Sequence, residues 1–169
     1  MKQADIAALV KRFIQYKLTL AFAESCTAGL LPSGLIEAQG ASSVLLGSIV
    51  TYHPIAKRKL LGVSQQTLDV YTAESQQVTN EMVMGLHKKL GADVCVAVTG
   101  LCAAGGSETD EKPAGTLFFT FLYQNRAEEH RQEFEGSCQS VRQQAVDFVY
   151  TKLNELLDRF PPDQNKLTD

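Results

Sequence analysis

The chain's most chemically suggestive stretch is Ala23-Glu24-Ser25-Cys26-Thr27-Ala28-Gly29, where a short apolar run meets a carboxylate, a hydroxyl, a thiol and a second hydroxyl before an apolar pattern of helical spacing begins. At a strand-to-helix junction the first helical N–H groups have no partner and the macrodipole is positive, so a hydroxyl or a bound anion is favoured there. Ser25 is placed for chemistry on that ground, and equally Ser and Thr are ordinary helix caps. The glycine-bracketed Gly-x-Ser-x-Gly turn of the α/β-hydrolase elbow is absent. A second stretch, Thr99-Gly100-Leu101-Cys102-Ala103-Ala104-Gly105-Gly106-Ser107, is a long loop of small residues directly after an apolar strand pattern. In open α/β sheets ligands bind where such strands end, so the loop and the Ser25 junction are expected at one crevice. Cys26 and Cys102 fall in these two segments and are candidates for reactive thiols, whereas Cys95 reads as a small core residue.

Several elements must hold those segments in place. Ile6, Leu9, Val10, Phe13 and Ile14 form one stripe of a packing helix over 3–16. Strands are expected over 18–23, 44–52 and 92–98, the second of them buried. A helix is expected over 27–38, with Pro32 deeper than the favoured first position, so that it starts late or kinks. His53-Pro54 ends the second strand, a short helix over 55–61 carries Lys57, Arg58 and Lys59, and Ser64 caps a further short turn. Ser75 opens and Gly91 closes a longer helix over 76–90. Alternating segments 115–123 and 127–134 flank Gln124-Asn125-Arg126 as a hairpin, and a helix over 140–157 precedes a polar tail over 161–169. Arg142 lies near the start of that last helix, where the dipole disfavours a cation unless an anion accompanies it. The expected fold is α/β: one three-layer α/β/α domain over 1–160, with a mixed sheet of about five strands.

Composition excludes several classes of function. The 169 residues carry a net charge of −3, and no basic cluster exceeds Lys57-Arg58-Lys59, which argues against nucleic acid as a partner. No apolar run approaches the roughly 20 residues a bilayer requires, and no secretory pattern opens the chain, so a cytoplasmic protein without a membrane partner is expected. The four cysteines form no Cys-x-x-Cys pair and have no histidine at zinc spacing, so neither a metal nor another cofactor is expected.

Taken together, Ala23-Glu24-Ser25-Cys26-Thr27, Thr51-Tyr52 followed by Ala56-Lys57 and Leu61-Gly62-Val63, Val98-Thr99-Gly100, and Glu111-Lys112-Pro113-x-Gly115-Thr116 resemble the CinA C-terminal domain family over residues 5–157. The resemblance implies hydrolysis of nicotinamide mononucleotide to nicotinic acid mononucleotide and ammonia, in pyridine-nucleotide recycling. It implies a Ser/Lys hydrolase, with the nucleophile at Ser25, the base at Lys57 and Tyr52 as a third catalytic candidate. A lysine serves as base only where burial or nearby cations disfavour its ammonium. Arg58 and Lys59 point to other helix faces, so burial is the expected lever; an exposed Lys57 would be an ordinary solvated lysine. Glu24, Cys26, Thr27, Thr99, Gly100, Gly105, Gly106, Lys112 and Arg142 are the candidate substrate contacts, the loop amides with Arg142 taking the phosphate. Plainer roles exist for some: Lys112 at a loop rim, Arg142 paired with Glu135 or Asp147, and Tyr52 in packing. Homo-oligomers are common in the family.

Three departures stand out. Family members carry two glycines where this chain has Ala28-Gly29. The family's Tyr-Ser-Asn-x-Ala-Lys is here Tyr52-His53-Pro54-Ile55-Ala56-Lys57, and its Thr-Gly-Ile-Ala-Gly-Pro-x-Gly-Gly becomes a loop without the Gly-Pro pair. Two further readings follow from the same residues: a non-catalytic nucleotide-binding or interaction protein on this scaffold, and a thiol enzyme with Cys26 as nucleophile and His53 as base.

Overall fold

The computed structural model describes residues 3–162. Strands β1 (Leu20–Glu24) and β3 (Val94–Gly100) pair in parallel. Both are buried almost throughout, which only the middle of a sheet covered on both faces allows. Strand β2 (Leu45–Val50) joins β1 in parallel, and β4 (Thr116–Tyr123) and β5 (Arg126–Glu133) follow β3 as an antiparallel hairpin. The order across the sheet is β2-β1-β3-β4-β5.

Alternation along the strands decides what each face can accept. Leu20, Phe22, Val94, Val96, Val98, Phe119 and Phe121 project toward α1 (Gln3–Gln15), α2 (Leu30–Ile36) and α6 (Cys138–Arg159). On the other face the residues of β1 and β3 are small, namely Ala21, Ala23, Cys95 and Ala97, so α5 (Gln76–Leu90) seats closely on the sheet. Helices α3 (Pro54–Leu61) and α4 (Gln65–Tyr71) complete that layer. The expected three-layer α/β/α fold with a mixed sheet is the observed one.

Four local expectations are corrected. Strand β2 is not buried but is the sheet's edge, with Leu46 and Val50 exposed. The turn expected after Ser64 is a full helix, α4, in which the Ser64 hydroxyl accepts from the Thr67 N–H. The hairpin turn is the two residues Gln124 and Asn125, both left-handed at φ 50° and 58°, the geometry that suits the twist of adjoining strands. Helix α2 begins at Leu30 rather than residue 27, for a reason that lies in the site itself. Of the expected tail, all but Pro161 and Pro162 lies outside the described residues.

Candidate active site

The three parallel strands deliver their following segments to one edge of the sheet. Ser25 follows β1, Tyr52 comes soon after β2, and Gly100 to Gly106 continue from the end of β3. Together with Glu74, Cys138 and Arg142 they line a cleft of about 360 Å³, within the range of small-molecule sites. The two segments expected at one crevice are therefore brought together there.

Glu24 builds the turn beneath Ser25. Its carboxylate is fully buried, and Oε2 accepts from the Thr27 hydroxyl at 2.8 Å, the Gly29 N–H at 3.0 Å and the Leu31 N–H at 3.2 Å. Its Oε1 accepts from the Ser48 hydroxyl at 2.6 Å, tying the turn to β2. A carboxylate at the positive end of a helix is doubly favoured, by charge and by orphan donors. Capturing those N–H groups holds residues 25–29 as a turn and delays α2 to Leu30. Ser25 is consequently not a helix cap, and Glu24 and Thr27 are spent on shaping the turn; neither lines the cleft.

Ala28 carries a strain that a glycine would not. Its φ is +50°, and for a residue with a Cβ the left-handed conformation costs about 1 kcal/mol. This is the position where the resembling family has glycine. Ala28→Gly is expected to raise stability by about 0.5–1 kcal/mol, read as an increased midpoint in urea at unchanged m-value.

Lys57 is not a solvated lysine. It is 1 % exposed, held on α3 against α5. The approach depends on Gly85, where a Cβ would stand 1.8 Å from the Leu61 carbonyl oxygen, so only glycine lets the end of α3 close down. Nζ donates to the Thr99 hydroxyl at 3.2 Å and meets Met82 Sδ at 3.5 Å. Thr99 passes its own proton to the Ala73 carbonyl at 3.1 Å, which leaves its lone pairs for the lysine. Burial lowers the Lys57 pKa from 10.5 to about 8, with smaller opposing effects from Cys26 and Glu74. Thr99, expected as a substrate contact, is fully buried and orients the amine instead. No hydrogen bond joins Lys57 to Ser25 among the described residues.

The remaining candidates divide between cleft and scaffold. Tyr52 stands 76 % exposed at the rim, so it is not a packing residue. Gly100 packs against β4, where a Cβ would lie 2.5 Å from the Thr116 carbonyl oxygen. Gly105 and Gly106 line the cleft, but their N–H groups already donate to Glu108, to Oε1 at 2.6 Å and Oε2 at 2.7 Å. Those bonds hold the Glu108 carboxyl below its ordinary pKa. Lys112 is spent inside the loop region, donating to the Thr72 hydroxyl, the Glu74 carbonyl and the Ser107 hydroxyl.

Arg142 reaches across from α6 and donates from Nη2 to the Thr27 carbonyl at 3.0 Å, while its Nε is buried with no acceptor. Cys26 is buried, and its thiol pKa is raised well above the usual value, first by the contact with Cys102 and then by burial. His53 caps α3, its Nδ1 accepting from the Ile55 N–H at 3.2 Å, and does not act on Cys26. The Cys26–His53 arrangement is therefore not formed.

Two residues of the site escaped the sequence reading. Glu74, whose carboxylate accepts from the Ser107 hydroxyl at 2.6 Å, lines the cleft beside Ser75, the cap that drew the eye. Met82 is one of the apolar residues along α5, and nothing in that periodicity marks it as a lysine's neighbour.

The family model of the CinA C-terminal domain matches residues 3–157. A nicotinamide-nucleotide amidohydrolase, PncC, from Enterobacter agglomerans is 41 % identical over 137 residues, which cover 80 % of this chain and 83 % of that protein. Protein YdeJ of Escherichia coli K12 is 38 % identical, with 89 % and 87 % covered. A CinA-like protein of Thermotoga neapolitana is 38 % identical over 88 % of this chain, yet the match spans about a third of that protein, 36 % of its length. Among solved structures, a CinA superfamily protein from Klebsiella pneumoniae 700603 superposes with a TM-score of 0.88 at 32 % identity, covering 95 % of this chain and all of that one. No helix among the described residues is long and apolar enough to cross a membrane.

Proposed function

The chain belongs to the CinA C-terminal domain family, and from that premise we propose that it is an amidohydrolase converting nicotinamide mononucleotide to nicotinic acid mononucleotide and ammonia. The observation that carries this reading is Lys57: fully buried, in no ion pair among the described residues, and with its ammonium disfavoured by burial despite the charge of Glu74. A neutral amine has two N–H bonds, which Thr99 and Met82 accept, and one lone pair left for a proton. Lys57 takes the Ser25 hydroxyl proton as Oγ attacks the carboxamide carbon, then returns it to the departing ammonia. Water hydrolyses the acyl-enzyme by the same path.

The turn also supplies oxyanion donors. The N–H groups of Ala28, Gly29, Leu30 and Leu31 all have acceptors, whereas among the described hydrogen bonds that of Thr27 has none and that of Cys26 meets only its own thiol. These two are the proposed oxyanion hole, beside the attacking oxygen. Tyr52 lies at the rim, and its proposed part is contact with the ligand rather than proton transfer. Arg142, with a donor to spare at the start of α6, is the proposed phosphate contact. The phosphate then lies near the Gly105–Gly106 edge of the cleft, whose N–H groups the exposed Glu108 carboxylate holds. Glu108→Gln is expected to lower KM for nicotinamide mononucleotide about threefold at low ionic strength with kcat unchanged, and high salt should erase the difference.

The occupied amides of Gly105 and Gly106 favour a second reading, a binding protein whose loop no longer takes a substrate phosphate. Ammonia release from nicotinamide mononucleotide by the purified protein separates the two. Turnover that disappears in Ser25→Ala supports the hydrolase, and no turnover by the folded parent at high enzyme concentration overturns it.

A further inference from the structure

Three of the four cysteines, remote in sequence, meet in the same cleft. Cys26 arrives on the nucleophile turn, Cys102 on the loop after β3, and Cys138 as the first residue of α6. The Cys102 thiol lies 4.0 Å from the Cys26 carbonyl oxygen, although 76 residues separate the two. The three thiols do not form a set able to hold a metal ion among the described residues. We propose that Cys26 and Cys102 are a peroxide-responsive dithiol, in which Cys102 is the oxidised thiol and Cys26 the resolving one, and that their disulfide closes the cleft beside Ser25.

The pair is asymmetric in the way such chemistry requires. Cys102 is partly exposed, and its pKa is lowered, first by the hydrogen bond from Cys26, then by the charge of Arg142 and by Cys138. Cys26 is buried and keeps its proton. A thiolate attacks peroxides, so oxidation starts at Cys102. Its sulfur attacks one oxygen of a hydroperoxide, the O–O bond breaks, and the alkoxide takes a proton from water to leave as an alcohol. Cys102 is now a sulfenic acid, oxidised by two electrons as the peroxide is reduced. Cys26 then attacks that sulfur, the S–O bond breaks, and the hydroxide departs with the Cys26 proton as water. The new bond ties the turn at Ser25 to the loop at Cys102. That loop is exposed from Ala103 to Gly106 and lacks a stiffening proline, so it can close the last distance.

Cys95 provides an internal control, since burial pushes its pKa up to about 12 and it should stay reduced. The experiment is graded hydrogen peroxide on the purified protein, followed by thiol counting in denaturant and mass mapping of disulfide-linked peptides. The expected result is loss of two of the four thiols, a Cys26–Cys102 link within one chain, and full recovery with dithiothreitol. Cys102→Ser, checked for folding by circular dichroism, should leave Cys26 reduced at peroxide concentrations that oxidise the parent. Cys138→Ser should form the same disulfide. A link through Cys138, a link between two chains, sulfonic acid without a disulfide, or oxidation of Cys26 undiminished in Cys102→Ser would each overturn the proposal. Because the parent's peptide map is read without any variant, the test does not depend on the variants folding.

Discussion

Ser25→Ala is expected to reduce kcat for ammonia release by about 10⁴-fold or more, because it deletes the atom proposed to form the acyl-enzyme. The cleft loses one hydroxyl and gains no bulk, so the fold and KM should change little. The Glu24 scaffold that shapes the turn does not use the Ser25 side chain, which makes the substitution structurally mild. Quantifying ammonia in single-turnover and steady-state assays checks the prediction, with circular dichroism to show that the variant is folded. Unaltered turnover in Ser25→Ala would remove Ser25 from the mechanism.

The same proposed chemistry fixes a pH dependence in the parent protein. In the proposed mechanism only neutral Lys57 accepts the serine proton, and its pKa is about 8. Below that value kcat/KM should rise about tenfold per pH unit, then level off above it. An exposed lysine would place the bend more than two units higher. A bend near pH 10.5, or no bend, would show that Lys57 is not the base.

Much of this architecture could be read from local signals, and the failures are instructive. Helix α5 begins and ends where Ser75 and Gly91 place it, because an N-cap hydroxyl and a left-handed glycine act within a few residues. The start of α2 was misplaced because the cap is not the residue at the junction but a glutamate at the strand's end, whose carboxylate reaches forward as far as Leu31. Strand β2 looks buried by composition, yet its place at the edge depends on the pairing order of the whole sheet. Ser25 stands out from its place at a strand-to-helix junction, whereas Lys57 stands out only as part of a motif. The burial of Lys57 rests on Gly85 and Met82, which lie a few turns into a different helix and show no pattern of their own. Likewise the use of Lys112 and Thr99 as scaffold follows from partners dozens of residues away. The arrival of Cys138 beside Cys26 and Cys102 is of the same kind, a product of topology that no spacing rule could announce.

Lys57→Met should abolish turnover and, at the same time, make the protein more stable. A pKa moved from 10.5 to about 8 corresponds to about 3 kcal/mol of penalty for keeping the ammonium buried. The sign follows from proton binding. Between pH 8 and 10.5 the unfolded chain holds a proton on Lys57 that the folded protein does not, so stability rises with pH across that window. At pH 7 the lysine is charged in both states and the full penalty is present. Methionine, close in length and without charge, fills the space between Thr99 and Met82 and lifts the penalty at the cost of leaving the Thr99 hydroxyl without its donor. The net expectation is a gain of about 1–3 kcal/mol at pH 7 that shrinks as pH rises from 8 toward 10.5, measured by urea unfolding at each pH. Such a gain with loss of activity would mark Lys57 as held in its site for chemistry against the interest of the fold. A destabilised, inactive Lys57→Met would instead assign the lysine a structural role and remove the reason to regard it as the base.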